Sequence, residues 1–123
     1  PAALTTRSGG EVLLLQRPPS GLLAGLYELP GGRAAPGEDP PAALGRILDE
    51  LLAAEYAVDA GPLHVEEWAF SHFTVTIPVH RARLTSGEPR LPEGRSMVWA
   101  DEEDRTRLAL STAHRRILEA LLA

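Results

Sequence analysis

Glu38, Arg46 and Glu50 carry charge at spacings that could serve phosphate and metal chemistry. They follow the glycine-rich stretch Leu29-Pro30-Gly31-Gly32 and run into an apolar-periodic segment. Carboxylates on one face of a helix can hold a divalent cation, and Mg²⁺ demands oxygen ligands converging in near-octahedral geometry. Glu50 alone, or with Glu38 at a distance, is a poor cage. Ile47 and Leu51 are spaced i, i+4 and share a helical face. That face of the helix carries two aliphatic side chains rather than carboxylates. A glycine loop ahead of an amphipathic helix is also a common arrangement with no site attached.

A second candidate is Phe70-Ser71-His72, between two apolar-alternating segments. A Ser hydroxyl both donates and accepts hydrogen bonds, so it can meet either kind of base-edge group. Ser is equally at home in a plain turn, where its hydroxyl bonds nearby backbone. His64, His80 and His114 form no metal-like cluster in sequence and are assigned no role. Arg17, Arg33 and Arg95 could touch phosphate, with ordinary solvent exposure the stronger reading of each. Tyr27 and Trp99 read as packing in or near the core.

These residues need elements to hold them. Ala3–Thr6 and Glu11–Leu15 flank Ser8-Gly9-Gly10, the pattern of a β-hairpin, because Gly supplies positive φ for a tight turn. Pro18 to Gly25 reads as a loop. Asp39 is placed to cap a helix with Pro40 or Pro41 in its first turn, where a missing N–H costs little. Leu44, Ile47, Leu48, Leu51 and Leu52 give that helix its apolar face and carry it to about Tyr56.

Leu63–Phe70 and Phe73–Leu84 read as two strands, with Ser71-His72 as the connection. Phe73, Val75, Ile77 and Val79 alternate with polar residues and Pro78, so one face is buried. Pro78 cannot donate to a ladder and marks an edge or a bulge. Ser86-Gly87 is a turn and Met97–Ala100 a short strand. Asp101–Asp104 opens a helix, since carboxylates suit the N-terminal dipole end. Ser111 caps a last helix striped by Ile117, Leu118, Leu121 and Leu122. Strands, helix, strands, helix in that order imply an α/β fold, a mixed sheet flanked by helices.

The 123 residues suit one domain, 1–123, with a real core. Pro1, where an initiator Met would stand, suggests a trimmed chain. Cysteine is absent, which excludes disulfides, thiol nucleophiles, Cys-based zinc sites and iron–sulfur clusters within these residues. No apolar run is long enough to span a bilayer. The formal net charge of −5 argues against autonomous, non-specific nucleic-acid binding, which depends on clustered positive charge. All 12 basic residues are Arg, a bias consistent with a GC-rich coding sequence.

Laid on the loop–helix–loop motif of Nudix hydrolases from Gly32, the chain resembles it in part. Glu38, Arg46, Leu48 and Glu50 match the motif, while Ile47, Leu51 and Ala53 depart from it. Three further features, the first of them the whole stretch Leu14–Gly32, resemble the C-terminal, Nudix-like domain of A/G-mismatch adenine DNA glycosylases of the MutY type. The other two are Phe70-Ser71-His72, and Val98–Ala100 with Leu110–Leu118. Trp68 departs from that family's pattern, which often has His there.

The resemblance implies a Nudix-like α/β/α sandwich and a role in base-excision repair of adenine mispaired with 8-oxoguanine. It implies that Phe70, Ser71 and His72 approach 8-oxoguanine, with Phe70 as packing anchor for the loop. Oxidation turns the guanine N7 acceptor into an N–H donor and adds a carbonyl at C8, so Ser71 could donate to O8 or accept from N7–H. The family's catalytic carboxylates and its 4Fe-4S cluster belong to an N-terminal domain. The chain is therefore expected to need no cofactor, to hold no metal or catalytic residue, and to contribute recognition without bond cleavage. Its expected partner is duplex DNA containing 8-oxoguanine:A, bound together with that N-terminal domain. A monomer in the bacterial cytoplasm, with no membrane contact, completes the expectation. The main alternative is a Nudix hydrolase acting on oxidised nucleotides such as 8-oxo-dGTP. A third is a Nudix-fold module that docks a protein partner.

Overall fold

The computed structural model describes residues 1–7, 10–21, 23–69, 71–91 and 95–122, with Arg7 described by its backbone alone. The strands are β1 (Ala2–Leu4), β2 (Thr6–Arg7), β3 (Glu11–Gln16), β4 (Tyr27–Glu28), β5 (Glu55–Val58), β6 (His64–Ala69), β7 (Thr74–Ser86) and β8 (Met97–Ala100). The helices are α1 (Pro40–Leu52), α2 (Glu102–Arg107) and α3 (Thr112–Leu122).

Two four-stranded sheets form. In one, β7 lies between β1 and β5, and β6 also pairs with β7; in the other, β3 pairs with β2, β4 and β8. Only β1 and β7 run parallel among these pairs, with Ala2 opposite Val79 and Leu4 opposite Arg81. The expected hairpin is thus half right. Thr6 and Arg7 pair with Val12 and Glu11, but Ala2–Leu4 leaves for the other sheet. The chain switches sheets at Thr5, which is buried and whose carbonyl accepts from Leu13 N–H at 3.0 Å. The turn residues Ser8 and Gly9 lie outside the described residues.

Alternation decides the two faces. Ala2, Leu4, Val12, Leu14 and Val79 join Ile117 and Leu118 of α3 in one core cluster. Their neighbours Ala3, Leu13, Leu15 and Ala82 join Leu44, Leu48 and Leu52 of α1 in the other. Strands buried on both faces read as continuous apolar runs, which is why Val12–Leu15 shows no polar alternation. Tyr27 packs against the first cluster and Trp99 against the second. This α/β arrangement of mixed sheets flanked by helices matches the fold class read from the sequence.

Helix α1 ends earlier than expected. Ala53 is its C-cap at φ 52°, in the left-handed region, and its N–H returns to Asp49. Helix-like spacing continues through Tyr56, but Glu55–Val58 is strand β5, paired with β7. Pro78 sits inside β7, one residue short of the stretch facing β1, so its missing N–H breaks no ladder there. Asp101 caps α2 through a reciprocal pair of bonds with Asp104, 2.8 and 3.2 Å. Among the described residues, no helix is long and apolar enough to cross a membrane.

Candidate active site

A cavity of about 520 Å³ opens between the loop after β4 and the first half of β7. Gly31, Gly32 and Arg33 form one wall and Val75–Pro78 the other, with Arg17, Glu28 and His114 between them. Its size falls in the range of small-molecule sites.

Each polar group is placed by backbone pairing. Arg17 leaves the end of β3, where its N–H donates to Leu26 O at 2.8 Å. Glu28 is on β4, whose Tyr27 bonds Ala109 O and Ser111 N–H at 2.7 and 3.3 Å. That stitch brings the start of α3 alongside β4. His114 occupies the first turn of α3, and its own N–H reaches Ser111 Oγ at 3.4 Å.

The Leu29 backbone N–H donates to His114 Nδ1 at 3.0 Å. Nδ1 is therefore the bare acceptor, and the ring hydrogen is assigned to Nε2. Burial, aided by the positive charge of Arg17, pulls the imidazole pKa from 6.5 down to about 4. At neutral pH the ring is an uncharged N–H donor. Glu28 accepts from Arg17 at 3.1 and 3.4 Å, and its Oε2 lies 3.9 Å from His114 Nε2. Burial raises the Glu28 pKa above the usual carboxylate value, with Arg17 opposing. One N–H donor, one carboxylate and two guanidinium groups thus converge on the cavity. Sequence reading gave His114 no role and did not single out Glu28; Arg33 is solvent-exposed as read, while Arg17 is half-buried. The fact that makes His114 informative, its contact with Leu29, spans 85 positions.

The glycine loop is fixed by β1. The Pro1 carbonyl accepts from Gly32 N–H at 3.2 Å, and Ala3 N–H donates to Pro30 O at 2.8 Å. A β-carbon on Gly31 would stand 2.3 Å from that Pro1 oxygen, so only glycine fits. Farther along, Glu38 accepts from Arg46 at 2.8 and 2.9 Å and from Ala35 N–H at 2.9 Å. The Arg46 bond, then the Ala35 bond, hold its pKa down to about 2. Arg46 also approaches Glu50 at 3.6 Å.

Nudix-type sites are built for Mg²⁺, and this donor set does not fit a resident ion. Ile47 lies against Gly32, where an added β-carbon would meet its Cδ1 at 3.2 Å. Leu51 packs on the core cluster of α1. Among the described residues, no three His, Cys, Asp or Glu side chains are grouped to hold a metal. Glu50, exposed beside Arg46, is the acidic ligand position that survives.

Ser71 and His72 are exposed at the tip of the β6–β7 hairpin, and neither lines the cavity, whose β7 wall begins at Val75. Phe70 lies outside the described residues. The hairpin is tied to α3: buried Glu66 meets His64 at 2.9 Å and Arg116 at 3.1 Å, and Arg116 lies 5.7 Å above the Trp68 ring. Trp68 thus serves as a platform for a guanidinium on α3.

Known proteins place this architecture. The NUDIX domain family matches residues 2–120. A Mycobacterium tuberculosis protein named "Putative 8-oxo-dGTP diphosphatase 2" is 41% identical over 91 residues, 74% of this chain and 64% of its own length. The chain thus spans less than two thirds of that relative. The CTP pyrophosphohydrolase of Escherichia coli is 30% identical across 99% of this chain and 89% of its own length. Human adenine DNA glycosylase is 32% identical across 89% of this chain and 20% of its own. Among solved structures, a MutT NUDIX hydrolase from Burkholderia pseudomallei superposes with a TM-score of 0.80 at 29% identity, covering 96% of this chain and 92% of that one. These matches correct the expectation of a chain without bond-cleaving activity: proteins similar to nearly all of it are hydrolases, and their own length is mostly covered in return. By its fold, its glycine loop and its match over residues 2–120, the chain belongs to the NUDIX domain family.

Proposed function

We propose that this chain is a Nudix hydrolase that cleaves a phosphoanhydride bond of oxidised purine nucleoside triphosphates such as 8-oxo-dGTP. The observation that carries this reading is the cavity itself, where a neutral His114 N–H and the Glu28 carboxylate sit beside Arg17 and Arg33. A net charge of −5 repels nucleotides at long range, so local guanidinium groups must attract the phosphates. Arg33, exposed at the rim next to Gly32, is placed for that task. Arg17 is already engaged by Glu28 and orients that carboxylate. The pocket walls of Val75, Ile77 and Leu29 supply apolar contact for a ring. The similarity to the mycobacterial and Escherichia coli relatives supports the same reading.

The test is phosphate or pyrophosphate release from 8-oxo-dGTP, dGTP and CTP in Mg²⁺ buffer. Turnover of 8-oxo-dGTP well above the no-protein control, reduced by Arg33→Ala, is expected. A flat response across the panel overturns the hydrolase reading.

One observation favours a second reading. Two positions of the ligand face are aliphatic, Ile47 against Gly32 and Leu51 against the core. The same pocket and the exposed Ser71-His72 tip could then read 8-oxoguanine opposite adenine in duplex DNA, beside a glycosylase domain with its own cluster. The similarity to human adenine DNA glycosylase supports it. Titration of labelled 8-oxoguanine:A duplex against a G:A control separates the two. A lesion preference in DNA without turnover of free nucleotides favours the second reading.

A further inference from the structure

We propose that Glu28 and His114 form an oxidation-reading pair, in which Glu28 accepts the N7 hydrogen of an 8-oxopurine and His114 Nε2–H donates to an adjacent carbonyl. This rests on the proposal that the cavity takes oxidised purine nucleotides. The two atoms, Glu28 Oε2 and His114 Nε2, are 3.9 Å apart, and both residues line the cavity. They do not satisfy each other at that distance, and Oε2, which takes one long bond of 3.4 Å from Arg17, keeps acceptor capacity for a ligand edge.

Their polarity is fixed by neighbours. Leu29 N–H occupies Nδ1 of His114 and leaves Nε2 as a donor. The Arg17 guanidinium holds the Glu28 carboxylate from one side and favours its acceptor form. The cavity therefore presents one donor and one acceptor, in a fixed order. Guanine's Hoogsteen edge offers N7 and O6, both acceptors. Against that edge, Glu28 would face a lone pair. Oxidation at C8 places a hydrogen on N7 and a carbonyl on each side of it, so both protein groups find a complement. Discrimination then arises mainly from the acceptor–acceptor clash that unoxidised guanine suffers.

Direct titration with the monophosphates 8-oxo-dGMP and dGMP tests this without requiring turnover. The wild-type protein should prefer 8-oxo-dGMP by roughly tenfold or more, since each matched hydrogen bond contributes about threefold to tenfold. Glu28→Gln offers an amide N–H to bare N7, so the preference should collapse toward unity. His114→Leu should weaken 8-oxo-dGMP by roughly threefold to tenfold, and His114→Gln, which restores an N–H, should recover part of that loss. In the unmutated protein, the His114 Nε2–H proton resonance should move downfield when 8-oxo-dGMP saturates the site.

An unchanged preference in both Glu28→Gln and His114→Leu, with melting curves still cooperative, overturns the pair. So does a His114 resonance that ignores saturating 8-oxo-dGMP. Equal wild-type affinity for the two monophosphates sinks this proposal and leaves nucleotide hydrolysis standing, whereas binding of neither defeats both.

Discussion

Arg46 clasps Glu38 with two hydrogen bonds, 2.8 and 2.9 Å long, and so ties the far end of the glycine loop to the middle of α1. Both side chains face solvent, and such surface pairs contribute little to global stability. Their work is local: they hold the loop that carries Gly32 and Arg33. Arg46→Ala should leave the Tm nearly unchanged while raising the KM for nucleotide several-fold. Because the wild-type Glu38 pKa lies at about 2, the clasp stays charged at both pH 5 and pH 8 and should add no pH dependence to the wild-type KM between them. Paired melting and steady-state kinetics at the two pH values check it.

His114 should make the fold sensitive to mild acid. Its folded pKa of about 4 lies below the ordinary imidazole value of 6.5, and its side chain is only 12% exposed. The stabilisation tied to the neutral ring is complete above pH 6.5 and is lost as pH falls toward 4, where the unfolded chain takes up a proton that the folded chain refuses. The shift corresponds to about 3 kcal/mol across that window. Urea titrations of wild type and His114→Gln from pH 7.5 to 4 should show the wild-type advantage shrinking as pH falls. A difference that stays constant with pH would show that this imidazole is not held neutral by burial.

Gly31 should tolerate no side chain. Gly31→Ala places a β-carbon 2.3 Å from the Pro1 oxygen, and that neighbour is backbone. The loop must pull away from β1, opening the cavity wall. Nucleotide binding should fall by at least tenfold, with a lowered Tm, whereas Gly45→Ala, in open space on α1, should be neutral or stabilising. Binding titrations and thermal melts on both variants make the comparison.

Ala53 should be improvable. A left-handed residue with a β-carbon carries strain of about 1 kcal/mol, and Ala53 adopts φ 52° as the cap of α1. Ala53→Gly should raise unfolding free energy by roughly 0.5–1 kcal/mol, read as a higher urea midpoint at unchanged slope.

That same cap explains what could and could not be read in the residues. The start of α1 was legible because Asp39-Pro40-Pro41 is chemistry that suits a helix opening. Its end was not, because Ala53 gives no glycine signal and Tyr56 continues the helical spacing. Met97–Ala100 and the Ser111 cap stood out for the same reason as Asp39, being local. Strand β1 was legible as a strand but not as a partner of β7, since parallel pairing leaves no turn to announce it. Glu38 and Arg46 were found because their spacing lies within one loop and helix. His114 and Glu28 were missed because their chemistry exists only after α3 has docked beside β4. Phe70-Ser71-His72 drew attention as a motif, yet Ser71 and His72 stand outside the cavity wall.

The pairing of β1 with β7 sets an order for biosynthesis. Ala2–Leu4 is synthesised well before its parallel partner Val79–Arg81. Strand β1, which also bonds the earlier-made glycine loop, must wait for this strand partner while α1 and the β6–β7 hairpin are made. Non-local pairing of this kind slows folding and exposes sticky backbone in the interval. A nascent chain stalled before Arg81 should therefore be protease-sensitive at Ala2–Leu4 and a client for chaperones. One extended past Ser86 should begin to protect that strand.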